Sequence, residues 1–192
     1  MKFVAKIGAA GLAGASALLL AVVPAQASTA RHGGPGPGGR VSGPEVLSGT
    51  VRGAAAISNS PVVPLTLRGL VNTFGAVSLG GPPNATNHTV FTFAGRIFVV
   101  TNNSTQTQNS YVNPRTCYAI FTQREAFQVV GGTGVFWGAY GPGQVRITSG
   151  GFLPRYRNGR CNVNASPVSP QGAFIKFFAS ITPLTIHFHH HR

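Results

Sequence analysis

The chain has 192 residues, fifteen of them Lys or Arg against two acids, for a formal net charge of +13. That balance favours anionic partners such as nucleic acid, phospholipid or teichoic head groups, or acidic polysaccharide. It leaves no paired-carboxylate arrangement for acid–base work, and no P-loop, HExxH or G-x-S-x-G motif is present.

The first 27 residues have the form of a secretion signal. Lys2 and Lys6 supply the basic n-region, residues 7–23 the apolar stretch, and Ala25-Gln26-Ala27 the cleavage site. Cleavage near Ala27 predicts a secreted, extracellular protein starting at Ser28, long enough for one domain with a real core. An uncleaved anchor fits less well, because the run is short and rich in Ala and Gly. Residues 28–44 hold a GGPGPGGR run and almost no apolar side chains. Such a stretch cannot bury enough surface to offset its ordering entropy, which predicts a disordered tether.

From Glu45 the texture changes to short β-prone runs between Gly, Pro and Asn clusters, with no sustained helical periodicity. Strands are expected at 46–57, 62–70, 74–79, 89–94, 96–101, 116–122, 126–130, 135–140, 144–148 and 173–182. Joining neighbours across Gly95 and across residues 141–143 reduces these to about eight. Polar loops with N-x-S/T sequons are expected at 80–88 and 101–114. The longest irregular stretch, 150–171, carries the one close basic cluster, Arg155, Arg157 and Arg160, and is the candidate loop for partner contact. Cys117 and Cys161 are the only cysteines, and an even count in an exported chain predicts one disulfide pinning that loop to the domain. Residues 187–192 form a His-rich tail. Fully extended, it would project His187, His189 and His191 to one side as a metal-binding comb, but an adventitious tail is the simpler reading. No metal or cofactor is expected.

Many antiparallel strands without helices leave a sandwich or a barrel, and long bent strands with interior glycines favour the barrel. The plainest local structure lies within 124–147. Phe127 and Val129 share one face of a first run. After a link of Gly131, Gly132, Thr133 and Gly134, Val135, Trp137 and Ala139 share a face opposite Phe136, Gly138 and Tyr140. Period-2 alternation across a glycine-rich link predicts a β-hairpin, with the glycines supplying positive φ.

Arg124-Glu125, the run from Val129 to Gly134, Phe136 and Ala139-Tyr140-Gly141 resemble the signature hairpin of the dirigent and allene-oxide-cyclase-like barrels. Two departures stand out: three residues rather than two precede the double valine, and Tyr140 stands where that family usually has Arg. The resemblance implies an all-β fold, a single antiparallel closed barrel of about eight strands over 45–186, with a central cavity and homotrimers formed through barrel walls. Tyr118 and Tyr140 are then expected inside, with Glu125 as the neighbouring carboxylate and Trp137 towards the outer surface or a subunit interface. The simpler role for Glu125 is to pair with Arg124 or a cross-strand Arg. Dirigent chemistry is thought to use acidic cavity residues, and a chain without Asp is poorly supplied with them. The expected function is an exported barrel that binds a small apolar ligand or an anionic envelope component, without clear catalytic machinery. The alternatives are a cyclase, isomerase or dirigent-type enzyme guiding a reactive intermediate in the cavity, and a cationic scaffold acting on anionic surfaces. Beyond net charge, nothing points to a specific nucleic acid.

Overall fold

The computed structural model describes residues 39–79 and 89–187, with the backbone but not the side chains of residues 102–105. Eight antiparallel strands close into a barrel in simple chain order. They are β1 (Arg40–Arg52), β2 (Val62–Gly69), β3 (Thr73–Ser78), β4 (Thr89–Thr92), β5 (Arg96–Val112), β6 (Tyr118–Gly132), β7 (Gly141–Phe152) and β8 (Phe174–His187). The first strand closes on the last over its whole length, from Arg40 opposite His187 to Arg52 opposite Phe174. Two short 3₁₀ turns, Gly53–Ile57 and Gly134–Phe136, are the only helical pieces among the described residues.

Strand parity builds the core. Successive side chains leave a strand on opposite faces, so in β6 Ala119, Glu125, Phe127 and Val129 turn inward while Ile120, Arg124, Gln128 and Val130 are exposed. Leu47, Leu65, Ile97, Phe177 and Ile181 join Phe127 and Val129 in one buried cluster, while Ala119 packs in a smaller one with Cys117 and Leu153. Phe91 meets Phe127 and Phe177 edge-on, with centroids 6.2 and 5.7 Å away. The Phe127 ring lies over Gly143, where any Cβ would collide with it. Large side chains therefore reach across the barrel and fill this part of the interior, each fully buried one contributing about 1.5–3 kcal/mol.

Several boundaries differ from expectation. β1 begins at Arg40, inside the expected tether, because residues 40–43 pair with the last residues of β8. The expected loop at 101–114 is mostly strand: β5 stays paired with β6 as far as Val112. β4 pairs with β5 from Arg96 to Val99, and among the described residues β5 beyond that point has a neighbour on one side. Its residues 106–111 are exposed on both faces, and a polar run meets no apolar requirement there. The runs at 116–122 and 126–130 belong to the single strand β6. The sequons at Asn84 and Asn87 lie outside the described residues.

The largest difference is in the glycine-rich hairpin. β6 and β7 do pair, but β6 runs on through Gly132 and β7 begins only at Gly141. Residues 135–140 are not a strand. Positive φ falls at Gly134 (+61°) and Gly138 (+64°), not at Gly131 or Gly132. Gly132 is needed for a different reason: a Cβ there would collide with the carbonyl of Phe136 and lie 2.7 Å from that of Arg96. The 3₁₀ turn drives Phe136 into the barrel end, fully buried and 5.7 Å from the ring of Phe93, and leaves Val135 and Trp137 outside.

Candidate functional site

The parity that builds the core also separates the charges. Both acidic side chains of the chain, Glu45 and Glu125, are buried. Glu45 accepts a hydrogen bond from the Val71 amide through Oε1 (2.7 Å), while its Oε2 is buried without a partner. Burial pushes its carboxyl from 4.5 up to about 7, against the lowering effect of the Val71 and Leu70 amides. Glu125 accepts from Gln123 Nε2 at 3.4 Å through Oε2, and its Oε1 is likewise buried and unpartnered. The expected pairing of Glu125 with Arg124 does not form, because adjacent residues of β6 face opposite sides of the wall.

Every described Arg and Lys, in contrast, is exposed. On the outer wall Arg124 of β6 stands directly opposite Arg146 of β7, and Arg146 directly opposite Phe178 of β8. With Gln144 and Ser180 these side chains border an open hollow of about 490 Å³. Like charges placed opposite one another in a sheet repel, and Glu125, which also borders the hollow, has its side chain buried and forms no salt bridge with either guanidinium. Two planar cations next to a half-exposed phenyl ring suit an oxyanion carried on an apolar or sugar-like body. Ordinary alternation around Phe127 and Ile147 assigns both arginines to the outer face. Their alignment across strands depends on register, which the sequence does not state.

A second basic surface lies on the loop between β7 and β8. Cys117 and Cys161 form the expected disulfide, with Cα atoms 5.3 Å apart. Arg155 is occupied in holding the loop: its guanidinium donates to the carbonyls of Gly159 (2.6 Å) and Arg115 (2.5 Å). Arg157 and Arg160 remain directed to solvent and border, with Tyr156 and Val163, an open depression of about 710 Å³. The predicted triplet thus divides into one structural arginine and two available ones.

The residues expected to line a central cavity do not converge. Tyr118 lies at the disulfide end, where its hydroxyl donates to the Gly172 carbonyl (3.0 Å) and its ring meets Phe152 edge-on. Tyr140 is 44% exposed at the opposite end of β6, beside the His187 ring. The expectation that it points inward counts parity through a strand at 135–140, whereas the 3₁₀ turn and Gly138 reset the direction of the chain. Glu125 faces the interior between the two tyrosines. His189 and His191 lie outside the described residues, and among the described residues no three His, Cys or acidic side chains gather as metal ligands. In comparisons with protein family models, with curated proteins and with solved structures, nothing matches this chain.

Proposed function

We propose that this protein is an exported β-barrel that binds an anionic component of the cell envelope, a phosphate- or carboxylate-bearing polymer, on its outer wall. The observation that carries the reading is the sorting of charge: both carboxylate side chains are buried, while every described cation is exposed. The described surface has no negative side chain to neutralise the Arg124–Arg146 pair, so a polyanion fits it without displacing an internal partner. Export rests on the signal-like first 27 residues. Kinship with the dirigent and allene-oxide-cyclase-like barrels rests on the 124–141 motif together with an eight-stranded closed barrel, and it is part of the same proposal. A cyclase or isomerase would need room inside the barrel, where Phe91, Phe127 and Phe177 occupy the space.

The test is retention on an immobilised poly(glycerol phosphate) or acidic polysaccharide across a salt gradient. Exposed charge–charge contacts are screened within about 8 Å at physiological ionic strength, so retention is expected to weaken steeply with salt. The double variant R124Q/R146Q is expected to lose at least about tenfold in affinity, since hydrogen bonds to charged groups are worth about 1.5–3 kcal/mol each. Salt-insensitive retention, or unchanged affinity in the double variant, would sink the assignment.

A further inference from the structure

The end of the barrel capped by the second 3₁₀ turn presents several apolar groups to solvent within a few residues. Val135, Trp137 and Tyr140 are exposed along one short segment, Trp137 by 54%. Val130 is also exposed, and the register pairing Val129 with Gly141 carries it towards Tyr140. Two cations flank this segment. Arg96 is tied to its start, its amide donating to Thr133 Oγ1 (3.1 Å) and its carbonyl accepting from the Thr133 amide (2.8 Å). Arg40 pairs with His187, whose amide donates to the Trp137 carbonyl (3.2 Å). The chain both enters β1 and leaves β8 at this end. After the expected cleavage near Ala27, the segment leading into β1 carries Arg31, and the segment after β8 ends in Arg192.

We propose that this end of the barrel docks on an anionic lipid surface, with Val135, Trp137 and Tyr140 entering the headgroup region and Arg40 and Arg96 facing lipid phosphates. Trp and Tyr favour that region because each joins an apolar ring to a polar handle. An apolar face rimmed by cations is the arrangement by which proteins lie in a membrane interface, and no described carboxylate stands on this surface to oppose anionic lipid. The inference goes beyond the polymer site at Arg124 and Arg146, which lies on the wall and uses none of these residues.

Trp137 is the only tryptophan in the chain, so its emission reports on this end alone. The mature chain, starting at Ser28, is mixed with phosphatidylcholine vesicles with and without phosphatidylglycerol, carrying brominated acyl chains as quenchers. The expected result is a blue shift and quenching of Trp137 that grow with the phosphatidylglycerol fraction. The variant V135S/Y140S keeps the reporter. It is expected to need at least about tenfold more lipid for half-maximal quenching, the effect of withholding one valine-sized group from lipid, and R40Q/R96Q is expected to lose the preference for anionic lipid. Emission already blue-shifted without lipid and unmoved by it would mean that another part of the chain covers this end, and would overturn the proposal. Sedimentation with anionic vesicles while Trp137 stays unquenched would also overturn it, yet leave the wall site intact. Lipid-dependent quenching in a protein that ignores acidic polymers would do the reverse.

Discussion

The two ends of the barrel are both irregular, and they are held by different physics. At one end, the loop between β7 and β8 is stapled by Cys117–Cys161 and by Arg155, and its outer face is cationic. At the other, the barrel is closed without a covalent bond. Phe136 fills the end, Gly132 lets backbone approach backbone, and Glu45 holds the Val71 amide from below. A stapled end tolerates a loop with little apolar content because the cross-link has already reduced the freedom of the unfolded chain. An unstapled end depends on close packing, so it is the more sensitive to a change of one atom or one proton.

Reducing the disulfide is the largest perturbation of this contrast. Its two cysteines are 44 residues apart, and the loss is expected to be about 4 kcal/mol on the chain-entropy account, a fall in melting temperature on the order of 10 °C for a domain of this size. Thermal melts with and without reductant, with alkylation and intact mass to verify reduction, measure it. An unchanged melt after verified reduction would show that packing alone holds that end as well.

At the packed end, Gly132→Val is expected to cost about 3 kcal/mol by overpacking, whereas Gly131→Ala should stay within about 0.5 kcal/mol. A Cβ on Gly131 would meet only Phe98 at 3.6 Å, an ordinary contact. Equal effects at the two positions, read from denaturant melts, would contradict close approach as the reason for Gly132.

A smaller effect is expected from the proton on Glu45. A carboxyl held at about 7 when folded and near 4.5 when unfolded keeps a proton that the unfolded chain has released between those pH values. Stability therefore falls as pH rises through that window and stays reduced above it. Glu45→Gln mimics the protonated form. It should match the wild type near pH 4.5 and exceed it at pH 8 by on the order of 2–3 kcal/mol. A difference between the two proteins that does not change with pH would remove the carboxyl from this role.

Much of the wall was legible from alternation, since an inward Phe127 implies an outward Arg124. The hairpin misled for the same reason. Residues 135–140 alternate as well as any strand, yet a 3₁₀ turn buries Phe136 there and exposes both of its neighbours. Residues 106–111 of β5 were hidden because a strand exposed on both faces carries no hydrophobic signal. The Arg124–Arg146–Phe178 row was half visible: the outward direction followed from alternation, but the meeting of three strands did not.

What this sequence determines by itself are properties that reside in composition and local period: an excess of cations, a β-rich chain, a pair of cysteines able to join, and which residues of a regular strand share a face. The tertiary structure alone decided that Glu45 and Glu125 are enclosed and that Tyr118 and Tyr140 sit at opposite ends of the barrel. It also decided that Gly132 serves close contact and not an unusual φ. The enclosure of the two carboxylates depends on how strands distant in sequence are aligned, since a shift of register by one residue would turn both to the other face.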